Sequence, residues 1–205
     1  MKKYLSLPLI SPFLFITYKS FLPENKKLNL VFDLDNTLIC STKYERIKNT
    51  KIYKQDYVYD DNYDSEDKKY YVWKRPYSYQ IVKFLSLFNN LHLYTRVKKN
   101  YADNILENIF PKIEFKNKLY REDMVNNGKD LDKIKGNDDM KIIFDDKKNN
   151  YVNKNNNFYH IRYYGYSNNN DKELFNVMFF VIVVNIIGME NVKKYNLFKN
   201  NLLKN

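Results

Sequence analysis

Leu28-Asn29-Leu30-Val31-Phe32, followed at once by Asp33-Leu34-Asp35-Asn36-Thr37, is the stretch that decides how this chain is read. Its first half is short and almost continuously apolar, which suits a strand buried on both faces, as in a parallel sheet. Its second half turns acidic, with two aspartates spaced i, i+2, and residues at that spacing on an extended segment share a face. In open parallel sheets, ligands bind beyond the carboxyl ends of the strands. A lone Asp-x-Asp after a strand is more often a turn or a helix cap. Its meaning therefore depends on what the other strand ends carry.

Ser41 to Tyr71 is rich in Tyr, Lys and Asp, has no helical apolar period, and reads as an inserted flap built on a hairpin. Pro76 opens a helix with Ile81, Val82, Leu85 and Phe88 on one face. Leu91 to Tyr94 reads as a second strand, ending in Thr95. Tyr101 to Phe110 carries Ile105, Leu106 and Ile109 at helical spacing, and Pro111 stops it. Met140 to Phe144 is a third apolar strand and runs into Asp145-Asp146. Asn149 to Asn157 reads as a loop, and Phe158 to Ile161 as a final strand. Lys172 to Ile187 and Glu190 to Leu203 read as closing helices, the first a buried core helix. The alternation predicts an α/β parallel sheet flanked by helices, with an inserted flap after the first strand. The expected domain spans 28–200, with its insertion at about 41–71.

Residues 1–27 form an apolar N-terminal extension. Leu5 to Leu22 follows Lys2 and Lys3 and meets no acidic residue before Glu24. That pattern suits an anchor or targeting segment and gives a route to membrane association. Pro8, Pro12 and Lys19 interrupt it and argue the other way. The formal charge of +11 suits a polyanionic partner. An A/T-rich coding sequence, which favours Lys, Asn, Tyr, Phe and Ile, accounts for it equally well, and the basic residues are spread along the chain. The single cysteine, Cys40, excludes an internal disulfide and a cysteine-rich zinc site. Cys40 to Arg46 spells the C-x₅-R of cysteine phosphatases but holds no glycine to let backbone amides wrap a phosphate, so it reads as a decoy. His92 and His160 lie in strand-like runs and read as structural. No Gly-x₄-Gly-Lys is present, which argues against a P-loop kinase.

Asp33, Asp35, Thr95, Asp145 and Asp146 thus stand at three strand ends. Four carboxylates at close range do not all stay ionised without a cation. Hard oxygen ligands favour Mg²⁺. Beside such an ion Asp33 can attack phosphorus, while Asp35 can protonate the leaving oxygen and then deprotonate water. Lys129, in Gly128-Lys129-Asp130-Leu131, is the nearest lysine placed to stabilise the transferring group.

Val31 to Leu38 resembles the motif hhDxDxTh (h, apolar) of haloacid-dehalogenase-type phosphatases. Further motifs follow in order: Lys74-Arg75-Pro76, Leu93-Tyr94-Thr95, Tyr101-Ala102-Asp103, Leu119 to Asp123, Lys129-Asp130-Leu131 and Ile142 to Asp146. The series, over Leu28 to Phe198, resembles the RNA polymerase II C-terminal-domain phosphatases, also called NLI-interacting-factor-like phosphatases. The resemblance implies a haloacid-dehalogenase-like fold, Asp33 as nucleophile and Asp35 as acid/base. It implies Mg²⁺ held by Asp33, the Asp35 carbonyl and Asp146, with Asp145 in support. It also implies Thr95 and Lys129 on the phosphoryl oxygens, and Arg121 and Tyr101 near a phosphopeptide. The substrate implied is a phosphoserine or phosphothreonine protein, such as the polymerase tail, in the nucleus, with no direct nucleic-acid binding. Two alternatives within the resemblance are a non-catalytic relative, as in a mitochondrial inner-membrane import receptor, and a membrane-anchored nuclear-envelope phosphatase. Arg96, a shortened Asp123–Lys129 segment and the Asn-rich loop depart from the family pattern and bear on substrate choice.

Overall fold

The computed structural model describes residues 21–43, 54–61, 68–152 and 157–194. Nearly all of the apolar stretch Leu5–Leu22 lies outside the described residues. So do parts of the expected insertion, the centre of the Asn-rich loop and the end of the last expected helix.

In chain order the elements are β1 (Asn29–Phe32), β2 (Ile39–Lys43), β3 (Tyr57–Asp61), β4 (Lys68–Lys74), α1 (Ser78–Ser86), β5 (Asn90–Tyr94), α2 (Lys99–Ile109), β6 (Asn117–Leu119), β7 (Lys141–Asp145), β8 (Phe158–His160), α3 (Glu173–Ile187) and α4 (Met189–Lys194). Five strands form a wholly parallel sheet in the order β6-β5-β1-β7-β8. The deciding stretch is its central strand, and all four β1 residues are buried. Side chains alternate across it. Leu30 and Phe32, with Leu91, Leu93, Ile142 and Phe144, join the core made with α1, α2 and α3. Val31, Tyr94 and Ile143 pack on the other face against Leu131 and Ile134. That second face is covered by a segment of short 3-10 turns at Arg121–Asp123 and Leu131–Lys133. β6 went unnoticed in the sequence because it is a three-residue edge strand with a polar start, Asn-Lys-Leu.

The flap is a three-stranded antiparallel sheet, ordered β2-β4-β3. It starts earlier and ends later than 41–71, because Ile39 and Cys40 already pair with Lys74 and Trp73. Its underside rests on α2: the Tyr59 ring meets Tyr101 edge-on at 5.0 Å, and Tyr57 donates to Asn104 Oδ1 at 2.7 Å.

The loop between β1 and β2 is tied down from below by Arg75, whose side chain is fully buried. Its guanidinium grips Asp171 through Nε at 2.7 Å and Nη2 at 2.9 Å. It also donates to the Thr37 carbonyl at 3.0 Å and the Arg162 carbonyl at 2.8 Å. Asp171 in turn accepts the Glu173 amide at the start of α3 at 3.0 Å. The helix α3 differs from the buried core helix expected. Leu174, Val177, Val181 and Val184 face the sheet, whereas Phe175, Phe179 and Ile186 are exposed. The helix forms the outer layer of the domain, so only one face is covered. Among the described residues no helix is long and apolar enough to cross a membrane.

Candidate active site

Asp33 follows the last residue of β1, and its amide still donates to the Phe144 carbonyl of β7 at 3.0 Å. By the period of two, Asp33 continues the Val31 face and Asp145 the Ile143 face, which are one and the same side of the sheet. Lys129 comes from the segment that covers that side. Its fully buried ammonium donates to Asp33 Oδ1 at 2.6 Å and to Asp145 Oδ2 at 2.5 Å. Backbone bonds fix its position: its amide donates to the Asn150 carbonyl at 2.5 Å, and its carbonyl accepts the Val152 amide at 3.1 Å. Gly128 makes that close approach possible, since a Cβ there would fall 2.9 Å from Val152 Cγ2 and 3.2 Å from the Val152 nitrogen.

Asp145 is held on every side, accepting from the Lys147 amide at 2.7 Å and the Tyr151 hydroxyl at 2.9 Å. Asp33, Asp145 and Asp146 each bring one carboxylate oxygen within 4.8 Å of the others. Three carboxylates and the Lys129 ammonium leave two negative charges, and the donors are all hard oxygens. Such a set fits a small divalent cation such as Mg²⁺. Burial pushes the Asp33 carboxyl up to about 7, against the pull of Lys129 and with Asp145 and Asp35 adding to the rise.

Asp35 is placed differently. The strand ends at Phe32, so shared-face geometry does not carry through to it. The chain turns instead, with Asn36 in the left-handed region at φ 59° and the Leu38 and Ile39 amides both donating to the Leu34 carbonyl. Asp35 Oδ1 accepts from Ser41 Oγ at 2.6 Å and from the Tyr101 hydroxyl at 3.3 Å. Its other oxygen, Oδ2, is buried with no protein partner. Burial raises this carboxyl's pKa, opposed by the two hydroxyl donors.

Thr95 lies buried at the end of β5, and its hydroxyl accepts the Val97 amide at 3.4 Å. Arg121 is exposed and donates through Nε to the Arg96 carbonyl at 2.8 Å. With Tyr101 it lines a cleft of about 250 Å³ shared with Ser41, Asp61, Tyr70, Val97 and Lys98. The sequence-named residues therefore fall into two groups. Asp33, Lys129, Asp145 and Asp146 form one; Tyr101 and Arg121 line the cleft, with Asp35 behind it, accepting from the cleft residues Ser41 and Tyr101.

Ser41, Tyr151, Arg75 and Asp171 were not singled out for the parts they take. Arg75 stood inside the Lys74-Arg75-Pro76 motif, but nothing local points to a partner 96 positions away. Tyr151 was hidden in the Asn-rich stretch. The three departures from the family pattern also meet one another. Arg96 donates to Asn150 Oδ1 at 2.7 Å, and Asn150 in turn accepts the Lys129 amide. Cys40 is buried in β2, and burial pushes its thiol up to about 11, which disfavours a thiolate; Arg46 of the C-x₅-R pattern lies outside the described residues. His92 is buried, and His160 Nε2 lies 3.0 Å from the Asp146 carbonyl.

A family profile described as NLI interacting factor-like phosphatase matches residues 28–193. The chain belongs to this family. The curated proteins it is similar to include "Putative CTD phosphatase-like protein 355R" of Invertebrate iridescent virus 6, 35% identical over 79 residues. That match covers 38% of this chain and 43% of the viral protein. CTD small phosphatase-like protein 1 of Caenorhabditis elegans is 31% identical over 133 residues, covering 63% of this chain and 26% of its own length. The chain thus spans less than half of either curated relative. Among solved structures, Fcp1, an essential RNA polymerase II CTD phosphatase, superposes with a TM-score of 0.65 at 18% identity, over 86% of this chain and 67% of Fcp1. A fission yeast Fcp1 variant bound to beryllium fluoride gives a TM-score of 0.67 at 17% identity over the same shares. At such identities the likeness speaks for the fold, a haloacid-dehalogenase-like, Rossmann-type sheet.

Proposed function

We propose that this chain is a Mg²⁺-dependent protein serine/threonine phosphatase that works through an aspartyl-phosphate on Asp33. The observation that carries the reading is the buried group at the carboxyl ends of β1 and β7, where Asp33, Asp145 and Asp146 converge and Lys129 bridges the first two. An Asp33 oxygen attacks phosphorus while the bond from phosphorus to the seryl or threonyl oxygen breaks. Asp35, whose Oδ2 is unpartnered and whose pKa is raised, delivers the proton to that leaving oxygen. The same carboxylate then takes a proton from water as the water oxygen attacks phosphorus and the Asp33–phosphorus bond breaks, releasing phosphate. Lys129 and Thr95 hold phosphoryl oxygens, and Arg121 and Tyr101 hold the flanking polypeptide. Asp33, the Asp35 carbonyl and Asp146 would hold Mg²⁺, with Asp145 in support, and the ion would offset charge on the transferring group.

Fcp1 is described as acting on the RNA polymerase II C-terminal tail. A phosphorylated protein of that kind, in the nucleus, is the substrate proposed here. The non-catalytic reading is not favoured, because all four aspartates are present and Lys129 bridges two of them. The test is hydrolysis of para-nitrophenyl phosphate and of Ser-Pro repeat phosphopeptides, with and without Mg²⁺. We expect Mg²⁺-dependent turnover that falls at least about a thousandfold in Asp33→Asn. Equal turnover by wild type and Asp33→Asn, or none by either, would refute the proposal.

A further inference from the structure

Lys129 lies outside the strands of the central sheet, so its ammonium is aimed by whatever holds the segment around it. Ahead of it, Val125 and Gly128 exchange amide-to-carbonyl bonds of 3.0 and 2.8 Å, closing a two-residue turn. Asn126 and Asn127 are both left-handed there, at φ 49° and 60°, as a tight turn of this kind requires. At Lys129 itself the backbone bridges in parallel to Tyr151, through the Asn150 carbonyl and the Val152 amide. The loop after β7 therefore locates Lys129, and that loop has fastenings of its own. The Lys147 amide and the Tyr151 hydroxyl run back to Asp145. A third fastening comes across from the end of β5, where Arg96 Nη1 donates to Asn150 Oδ1 at 2.7 Å. Asn150 is buried, and a charged donor makes that bond stronger than a neutral one would. Arg96 is steadied at its backbone, since its carbonyl accepts Arg121 Nε and the Val97 carbonyl accepts the Arg121 amide at 3.0 Å. One path thus leads from Arg96 to Asn150 and on to the Lys129 amide. Arg96 and Asn150 both stand where the chain departs from its family's pattern.

We infer that Arg96 is a positioning residue: acting through Asn150, it sets where the Lys129 ammonium stands between Asp33 and Asp145. The kinetic consequence rests on the proposed phosphatase reading, and the structural consequence does not. The test compares the whole chain in Mg²⁺ buffer as wild type, Arg96→Ala, Arg96→Lys, Asn150→Ala and the double alanine variant. Amide hydrogen exchange followed by NMR should show the Lys129 amide losing protection by about tenfold in Arg96→Ala, with the amides of β1 and β5 unchanged. A general loss of packing would instead lift exchange across the sheet. With para-nitrophenyl phosphate, kcat should fall by about tenfold and KM stay within about twofold, because a small misplacement of a charged group is costly. Arg96→Lys should recover part of both losses. Asn150→Ala should match Arg96→Ala, and the double variant should be no worse than the poorer single one, as two links of one path require. An unchanged Lys129 amide, exchange lifted across the whole sheet, losses that add in the double variant, or lost protection with kcat unaltered would overturn the inference. A raised KM with kcat intact would do the same, because Arg96 would then act on substrate directly. A wild type inert toward para-nitrophenyl phosphate would strike only the phosphatase reading, and the Lys129 exchange would then decide the inference alone.

Discussion

One ammonium group, that of Lys129, is shared by two buried carboxylates, and removing it isolates both. Breaking a buried pair by deleting one partner typically costs about 3–5 kcal/mol, since the remaining charge is left uncompensated. Lys129→Met is therefore expected to lower stability by that order in chelator, as read by urea unfolding. Added Mg²⁺ should recover part of the loss if the acidic group takes a divalent cation. The neighbouring glycine gives a second expectation. A methyl group at Gly128 meets Val152 side chain and backbone, so Gly128→Ala should cost about 1–3 kcal/mol through overpacking. It should also reduce turnover by shifting Lys129, whereas Cys40→Ala should leave turnover within about a factor of three, because a buried neutral thiol takes no part. Thermal unfolding and para-nitrophenyl phosphate kinetics check both. That Asp33 and Asp145 come together was legible because strand ends can be read from apolar runs, whereas Lys129 sits in the segment covering the sheet and was named only as the nearest lysine, in Gly128-Lys129-Asp130-Leu131. Tyr151 and Ser41 were not legible, because their partners are set by how loops return, which no local period encodes.

Among the elements, the flap and α3 are joined through Arg75 and Asp171. Asp171→Asn alone leaves the Arg75 charge buried against carbonyls, and should destabilise by about 3 kcal/mol or more. An apolar pair, Arg75→Met with Asp171→Leu, should be less destabilising than the sum of the single changes, because neither leaves an unpaired charge. Chemical denaturation of all four proteins measures the coupling. Four of the five strands of the central sheet could be placed to within a residue or two, since Leu30, Phe32, Leu91, Ile142 and Phe144 belong to apolar runs filling one core, whereas the edge strand β6 could not. The face opposite could not. It is covered by short 3-10 turns around Leu131 and Ile134, which have no helical period to find. The exposed face of α3 was equally invisible, because a helix apolar all round gives no sign of which side is covered.

At the scale of the whole molecule, acid should loosen the fold through the sheet's own interior. Burial pushes the His92 imidazole down from 6.5 to about 4. The unfolded chain takes up this proton below 6.5 while the native chain still refuses it. Stability is thus complete above that value, falls as pH drops through the window, and levels off below about 4. The full loss amounts to about 3 kcal/mol. Asp33, raised to about 7, acts with the opposite sign, losing stability as pH rises. The His92 part is therefore read as the difference between wild type and His92→Gln in urea midpoints across the window, with the variant expected to be flatter. The long reach of the contacts has a temporal side. Asp33 and Lys129 stand 96 positions apart, as do Arg75 and Asp171. At synthesis rates of roughly 5–20 residues per second, each early partner waits on the order of ten seconds for its later one to be made. During that interval the acidic loop lacks its buried cation, and Arg75, made 38 positions after Thr37, is still without Asp171. Newly made chains should pass through a stage in which the central strand exists but nothing near it can turn over substrate, and a chaperone that shields this strand would find its client there.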